Sequence, residues 1–165
     1  RDAAKASWKA FVSDPAWKKV ARESQVDGKI LAQRPDSVYM KETSYSPSWK
    51  NGKAEKDGLF ELRVYKAGEG KLGKLDARFR DHTIRIFEKH GMKSVAYWHP
   101  LDEPDSKDTL VYIIKHENRE AAKKSWKGFL ADPEWKKAAQ ASGVGRLAKP
   151  PAATYMKPTD YSAIR

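Results

Sequence analysis

One segment of this 165-residue chain occurs twice, and this duplication restricts the possible folds more than any other feature. The stretch ASWKAFVSDPAWKKVA at 6–21 is closely matched by KSWKGFLADPEWKKAA at 124–139. When Arg1 is aligned with Arg119, two thirds of the positions through the first helical stretch are identical. Self-similarity of this strength indicates that a structural unit has been duplicated.

Each copy predicts a helix, a break, a second short helix and a strand. In the first copy, Trp8 and its apolar neighbours recur at helical spacing. Asp14 and Pro15 then interrupt the pattern, because Asp caps free helical amides and Pro suits the first position of a helix. After a loop, we expect short strands at 37–41 in the first copy and 153–157 in the second.

The segment between the copies predicts three further strands and a helix. Alternating residues at 58–67 are typical of a strand, and those at 70–91 are typical of an amphipathic helix that ends at a glycine. Two more strands are expected at 92–101 and 109–117. With the second copy, the order is β-α-β-β-α-β. This order predicts the α+β class and a ferredoxin-like antiparallel sheet with two helices on one face.

The repeat also predicts the domain organisation. Residues 58–163 contain every element of a complete ferredoxin-like domain, whereas residues 1–46 match only the C-terminal part of one. The polar stretch at 47–57 is predicted to be a linker. By the same alignment, the first part of the first domain would require about 60 residues upstream.

The composition restricts the classes of partner. The net charge is +11 and spreads evenly along the chain, so it attracts anions in general without the clustered patch typical of nucleic-acid readers. We therefore do not expect specific nucleic-acid binding, although weak polyanion binding stays an alternative. The absence of cysteine excludes disulfides and thiolate metal sites. No apolar run is long enough to predict a membrane span.

The first residues bear on the compartment. The chain begins with RDAAKAS and not with Met, so we expect a processed or truncated product. No signal peptide is visible in the sequence. A cytoplasmic protein and an exported one that has lost an upstream signal both stay open.

Several separated motifs resemble the NIPSNAP family. FELRVYKAGEGKLGKLDARFRDHTIRIFEKHGMKSVAYW is similar to the opening of a NIPSNAP domain, and REAAKKSWKGFLADPEWKKAAQ followed by TYMKPTDYS is similar to its close. The resemblance covers 58–163 and returns for the second half of the domain at 1–46. It implies the dimeric α/β-barrel superfamily, in which two ferredoxin-like units pack their open sheet faces together. The expected partner is then a second copy, giving a homodimer, or a missing N-terminal fragment, giving an intrachain barrel.

The alternation of the strand at 58–67 predicts where a site would lie. We expect its apolar residues to face the helices and its polar residues to face the barrel lumen, where they would form a pocket or an interface. The apolar set is Phe60, Leu62 and Val64, and the polar set is Glu61, Arg63 and Tyr65.

The next two strands would contribute further lumen residues, but their phase stays open. In one phase the second strand would present Val95, Tyr97 and His99 to the lumen, and in the other phase Ala96 and Trp98. The third strand would present Tyr112, and in one of its phases also His116. We predict a small aromatic or apolar ligand, or else simple hydrogen bonding across a dimer interface. The ligand-binding candidates are Arg63, Tyr65, Tyr97 and Tyr112.

The resemblance implies no defined biochemical activity, since eukaryotic family members are linked only broadly to mitochondria and vesicle traffic. We expect a non-catalytic binding or interaction protein. The alternative is a small cofactor-independent enzyme, such as a monooxygenase or isomerase, that uses the lumen. Its catalytic candidates would be His82 as general base with Tyr65, Arg63 and Tyr97. His82 falls within the apolar stripe of the helix at 70–91, which favours a histidine packed between helix and sheet over a catalytic one. No metal-ligand or phosphate-loop motif is present, so we predict no metal and no cofactor.

Overall fold

The computed structural model describes residues 1–47 and 58–162 and divides the chain into two units. These units are Arg1–Tyr39 and Met40–Arg165. The linker predicted at 47–57 lies outside the described residues except for its first residue. The domain boundaries inferred from the repeat therefore stay predictions.

The first unit contains the predicted pair of helices. Helix α1 spans Asp2–Ser13 and helix α2 spans Pro15–Glu23. The Asp14 carboxylate oxygen Oδ1 accepts hydrogen bonds from the backbone amides of Ala16 at 2.7 Å and Trp17 at 3.0 Å. These bonds satisfy two of the amides that a helix start leaves free, which confirms Asp14 as the cap of α2.

The second unit contains a five-stranded sheet and the remaining helices. Its strands are β1 Met40–Glu42, β2 Leu59–Lys66, β3 Lys93–Pro100, β4 Thr109–His116 and β5 Ala152–Met156. Its helices are α3 Leu72–Arg78 and α4 Ile84–Lys89, joined by a π-helical turn at Phe79–Thr83, then α5 Arg119–Ala131 and α6 Pro133–Ala141. A single 3-10 turn at Asp105–Lys107 precedes β4.

The sheet confirms the ferredoxin-like prediction. Its strand order is β1-β3-β4-β2-β5, and every neighbouring pair is antiparallel. Strands β2 to β5 alone give the order expected of a β-α-β-β-α-β unit. Strand β1 comes from the first repeat and pairs with the outer edge of β3, with Met40 opposite Pro100 and Glu42 opposite Trp98.

Strand β1 begins later than the sequence predicts. The prediction was 37–41, whereas the paired residues are Met40–Glu42. In the second copy the corresponding strand β5 pairs with β2, from Phe60 opposite Met156 to Val64 opposite Ala152. The first copy has no equivalent of β2 among the described residues, so only its last part finds an edge, that of β3.

The hydrophobic core of the second unit lies between the sheet and the helices. Aromatic rings dominate it, and burial of each large ring contributes about 1.5–3 kcal/mol. The largest apolar members that are almost fully buried are Leu75, Phe79, Ile86, Phe87, Met92, Tyr97, Leu110, Tyr112, Ile114 and Phe129.

The face assignment predicted for β2 is wrong, and the two faces are exchanged. The Arg63 guanidinium carbon lies 4.3 Å from the centre of the Trp126 ring in α5. The Tyr65 ring centre lies 5.9 Å from that of Phe79 in the π-helical turn. The polar residues of β2 therefore face the helices. By strand alternation, the apolar set of Phe60, Leu62 and Val64 occupies the opposite face.

A bulge fixes the phase of β3. The pairing of β3 with β4 shifts between Ser94 and Ala96. Past this bulge, Tyr97 stacks on Tyr112 with ring centres 5.4 Å apart and faces the helices. The opposite face, which we call the open sheet face, is mostly apolar. Its members are Ala96 and Trp98 of β3 with Val95 at the bulge, Phe60, Leu62 and Val64 of β2, and Val111, Ile113 and Lys115 of β4.

Candidate functional site

A buried carboxylate organises the polar side chains between sheet and helices. Glu61 is fully buried, and its Oε2 accepts a hydrogen bond from the Trp126 indole nitrogen at 2.8 Å. The same oxygen lies 2.8 Å from His116 Nε2, while Oε1 accepts from Arg63 Nη1 at 2.7 Å. One carboxylate thus connects β2, β4 and α5.

The strand register explains why these groups meet. Glu61 lies opposite Ile114 on β4, so His116, two residues further on, is its diagonal neighbour on the same face. Arg63 lies directly opposite Tyr112. Helix α5, whose start is capped by the Asn118 side chain through the amide of Ala121 at 2.9 Å, carries Trp126 over Glu61 and Arg63.

The charges in this cluster are stabilised by their neighbours. Burial raises the pKa of Glu61, but hydrogen bonds from His116, Trp126 and Arg63 outweigh it, so the pKa lies below its ordinary value. Burial lowers the pKa of Arg63, but the nearby phenols of Tyr112 and Tyr65 and the Glu61 carboxylate raise it overall. The pair is therefore held in its charged form.

Tyr65 and Tyr112 lie beside Arg63 of the ion pair, and Tyr97 stacks on Tyr112. The Tyr65 ring centre lies 5.2 Å from that of Tyr112, and Arg63 Nη2 donates to the Tyr65 hydroxyl at 3.2 Å. Burial raises the pKa of Tyr97 and of Tyr112 well above the ordinary value. Their hydroxyls stay protonated, and that of Tyr97 already shares a hydrogen bond with Ser94 Oγ at 2.6 Å.

The structure brings together all four ligand-binding residues predicted from the sequence, but on the helix side of the sheet. The lumen predicted for them would be lined by the open sheet face, which is apolar. Two buried nitrogens of the cluster, Arg63 Nε and His116 Nδ1, have no hydrogen-bond partner among the described residues. Such atoms are the ones able to bind a polar group that enters the cluster.

The predicted placement of His82 in the buried stripe is wrong. The π-helical turn adds one residue to its helical turn, and Thr83 faces the core instead, donating to the Arg78 carbonyl oxygen at 3.1 Å. His82 is exposed. As placed, it is separated from the tyrosine cluster and is not positioned as its general base.

A second polar cluster fixes β1 at the sheet edge. The Tyr45 hydroxyl donates to Asp76 Oδ1 at 2.6 Å, and His99 Nε2 lies 3.0 Å from the same oxygen. The Tyr45 ring also packs 5.5 Å from that of Tyr97. Burial, with the Asp76 hydrogen bond, raises the pKa of Tyr45. This cluster holds β1 at the β3 edge of the sheet within the second unit.

Sequence reasoning named Glu61, His116 and Trp126 separately but did not connect them. The available signal was a lone acidic residue in a strand of large apolar and aromatic side chains. Such a residue needs buried partners if it faces a core. The repeat places Trp126 at the position of Trp8, and its indole N–H is one such donor.

Two further findings concern metal ions and membranes. Among the residues that the structure describes, no three His, Asp or Glu side chains are grouped so as to hold a metal ion. None of the helices in the described part of the chain is long and apolar enough to cross a membrane.

The fold and the apolar open face define a class of protein. An antiparallel sheet with helices on one side and an apolar opposite side is the ferredoxin-like unit of dimeric α/β-barrel proteins. The NIPSNAP family profile matches residues 60–163. The chain therefore belongs to the NIPSNAP family, which confirms the resemblance seen in the sequence.

Solved structures of family members share the fold. A NIPSNAP family protein from Agrobacterium tumefaciens is 18% identical with a TM-score of 0.57, and the match covers 66% of this chain and 99% of that chain. Another from the same organism, of unknown function, is 20% identical with a TM-score of 0.55, covering 64% and 92%. An uncharacterized NIPSNAP-like domain protein from Burkholderia xenovorans is 18% identical with a TM-score of 0.55, covering 64% and 88%. No curated protein matches the chain by sequence.

Proposed function

We propose that the chain is a non-catalytic interaction protein that assembles by packing its open sheet face against a second sheet. The observation that carries this proposal is the apolar character of that face. Leu62 and Val64 of β2, Val111 and Ile113 of β4 and Trp98 of β3 are half-buried in the single chain. A sheet with both faces apolar requires a layer on each side, and the helices supply only one.

The edge of the sheet supports the same proposal. Strand β1 belongs to the first repeat yet pairs with β3 of the second, and the backbone amide of Thr43 continues this edge by donating to the Tyr97 carbonyl at 3.0 Å. Strand β1 therefore extends the same sheet beyond β3 and enlarges the face that a second sheet would cover. In the 165-residue chain we expect a second copy to provide the facing sheet.

A groove on the open face gives a place for a small apolar ligand. It has a volume of about 260 Å³ and is lined by Phe60, Val95 and Ile113 of the sheet with Met156 and Pro158 of the C-terminal segment. Its lining is mostly apolar, so any ligand here would be recognised by shape and burial more than by hydrogen bonds.

Analytical ultracentrifugation tests the proposal. We expect the chain to sediment as a dimer at micromolar concentrations and Ile113→Glu to sediment as a monomer, because an unpaired carboxylate at the centre of the face would have to be buried. Lys127→Glu introduces the same charge on the exposed side of α5 and should leave the dimer intact. A monomer for the unmodified chain, or an Ile113→Glu dimer of equal affinity, would contradict the proposal.

A second candidate function is catalysis in the helix-side cluster. The observation that favours it is the Glu61–His116 pair, in which the carboxylate holds one ring nitrogen and the other, Nδ1, is buried without a partner among the described residues. A histidine oriented in this way is able to act as a general base. Tyr65 and Tyr112 would then contact an aromatic substrate.

Oxygen uptake with a naphthohydroquinone as the probe tests this second candidate. A cofactor-independent monooxygenase would consume oxygen faster than buffer, and His116→Gln would reduce that rate while retaining the fold. If the chain is the interaction protein proposed here, uptake equals that of buffer for both variants. Uptake that depends on His116 would overturn the non-catalytic assignment.

A further inference from the structure

The first helix pair presents a preformed aromatic face. In the first unit, the ring centres of Trp8 and Phe11 lie 5.7 Å apart, and those of Phe11 and Trp17 lie 4.5 Å apart. The second copy repeats this geometry almost unchanged. There, Trp126 and Phe129 lie 5.7 Å apart, and Phe129 and Trp135 lie 4.4 Å apart.

The two faces differ in what covers them. Phe129 is 2% exposed, whereas its counterpart Phe11 is 43% exposed and Trp8 is 59% exposed. Every residue of α1 and α2 is described by the structure, and none of them is buried. A contiguous exposed patch of large aromatic side chains is a mark of an interaction site.

The second copy shows which groups this kind of face accepts. Phe87 packs between the two rings at its centre, 5.5 Å from Trp126 and 4.8 Å from Phe129. The Glu61 carboxylate accepts the Trp126 indole hydrogen, and the Arg78 guanidinium carbon lies 5.1 Å from the centre of the Trp135 ring. All three groups come from the β-α-β-β part of the unit, between β2 and β4.

From this internal template we propose that the α1–α2 face binds a β-α-β-β unit built like residues 58–116. That unit would insert an aromatic side chain between Trp8 and Phe11. It would offer a buried carboxylate to the Trp8 indole and an arginine to the Trp17 ring. This inference does not rest on packing of the open sheet face, because it concerns a different surface.

A second intact copy of this chain does not fit this role. The helix side of its own β-α-β-β segment is already covered by α5 and α6, which are connected to it in the same chain. If α1 and α2 of another chain replaced them, the aromatic contacts would be nearly the same. The replacement would, however, lose the covalent connection that holds α5 and α6 close to the sheet, so it is disfavoured. The occupant is therefore a β-α-β-β unit whose helix side is uncovered.

One substitution between the copies specifies a difference in that partner. A Cβ built on Gly128 would lie 2.7 Å from His90 Nδ1, so glycine is required where the histidine packs against α5. The first copy has Ala10 at the corresponding position. The partner therefore carries a smaller residue than histidine at the position of His90.

The C-terminal segment has an unused counterpart of the β1 edge contact. Tyr161 corresponds to Tyr45 in the repeat, yet it is 87% exposed, whereas Tyr45 is partly buried and bonded to Asp76. The edge that would accept this segment is an equivalent of β3. A β-α-β-β unit contains such an edge.

Co-expression with a separate polypeptide of residues 58–118 tests the inference. This probe offers the helix side of β2 to β4 without α5 and α6. We expect a one-to-one complex with the 165-residue chain and oxidation of Trp8 and Trp17 by hydroxyl radicals to slow by about tenfold, as for side chains that become buried. Tryptic peptides identified by mass spectrometry separate these tryptophans from Trp126 and Trp135.

Matched variants make the outcome specific. The double variant Trp8→Ala with Trp17→Ala should no longer bind the probe. Lys9→Ala, next to Trp8 on the polar side of α1, should bind it as the unmodified chain does. If the probe does not fold alone, fusing it upstream of Arg1 should protect Trp8 in the same measurement. Trp8 that stays reactive in the fusion overturns the proposal. So does a double variant that still binds the probe, or a homodimer that protects Trp8 without it.

Discussion

At the scale of single residues, Glu61 is the group on which the helix side of the sheet depends. Its carboxylate receives the Trp126 indole, contacts His116 and pairs with Arg63, so removing it would leave several buried polar groups without a partner. Burying an ion pair costs desolvation energy, but removing one partner of a buried pair costs more, because the other charge stays buried without compensation.

Glu61→Gln should therefore lower the free energy of unfolding by about 3–5 kcal/mol. The double variant Glu61→Leu with Arg63→Leu should lose less than Glu61→Gln, since it removes both charges together. Urea titrations followed by tryptophan fluorescence measure both values. A Glu61→Gln protein as stable as the unmodified chain would show that the cluster contributes no stability.

The repeated tryptophans provide a matched pair for a second prediction. Trp126 packs on Phe87 and is bonded to Glu61, so Trp126→Ala should destabilise the second unit by about 3–5 kcal/mol. Trp8→Ala removes the equivalent residue of the first copy, which is exposed, and should change stability by less than about 0.5 kcal/mol. Thermal unfolding of both variants checks this contrast. A loss below about 1 kcal/mol for Trp126→Ala would mean that the ring is a surface anchor.

Residue-level chemistry was only partly predictable from the sequence. Strand alternation placed Arg63 and Tyr65 on one face, whereas the face of Tyr97 depends on the bulge between Ser94 and Ala96 and did not follow from alternation. Which face Arg63 and Tyr65 occupy was not predictable, because both faces of the sheet are rich in large side chains and hydropathy alone cannot order them. His82 was misplaced because a π-helical turn leaves no simple trace in helical periodicity.

At the scale of elements, Asp132 links α4 to the break between α5 and α6. Its Oδ1 accepts from the Glu134 amide at 2.8 Å, and its Oδ2 lies 2.7 Å from both Lys89 Nζ and His90 Nε2. Hydrogen bonds from Lys89 and then from His90 lower its pKa to about 2. The corresponding Asp14 of the first copy caps α2 only through Oδ1, so the link to α4 is specific to the complete unit.

This lowered pKa predicts an acid-dependent stability. The pKa of the Asp132 carboxyl is about 2 in the folded protein and about 3.9 in the unfolded chain. Its contribution to the free energy of unfolding is therefore complete above roughly pH 5 and is lost as the pH falls towards 2. The stability difference between the unmodified chain and Asp132→Asn should be constant from pH 5 to 7 and shrink between pH 4 and 2. Urea midpoints across this range measure it. A difference that stays constant down to pH 2 would show that the ion pairs contribute nothing.

The edge strand β1 gives a prediction for local opening. Asp76→Ala removes the acceptor of Tyr45 and the partner of His99, and hydrogen bonds to a charged group contribute about 1.5–3 kcal/mol. Exchange of the Thr43 amide, which is bonded to the Tyr97 carbonyl, should accelerate by tenfold or more. Glu69→Ala, an exposed acidic residue before α3, serves as the control. Unchanged exchange at Thr43 would mean that β1 is fixed by backbone pairing alone.

The elements themselves were largely predictable. Periodicity, the Asp-Pro caps and the internal repeat gave the order β-α-β-β-α-β, and strand limits agree within a residue or two for β2 to β5. Strand β1 was displaced because its limits depend on which edge is present to pair with it. Such a limit is set by tertiary contacts that sequence periodicity does not contain.

At the scale of the whole molecule, each repeat leaves something uncovered. The complete unit has an apolar open sheet face, and the first repeat has an aromatic helix face. These two features are the basis of the two proposed contacts, the first with a facing sheet and the second with a β-α-β-β unit. Helix α5 covers the helix-side cluster, which makes a substrate site there less accessible. The uncovered faces therefore favour assembly over catalysis as the proposed function.

Photo-cross-linking tests most directly whether the open sheet face packs against a second sheet. Ile113→p-benzoylphenylalanine places a photoreactive group at the centre of that face, on β4. Irradiation at micromolar concentration should give a covalent dimer whose linked peptides come from β2, β3 or β4 of the second copy. Cross-links confined to the same chain, or formed with α5 or α6 of another, would contradict this packing.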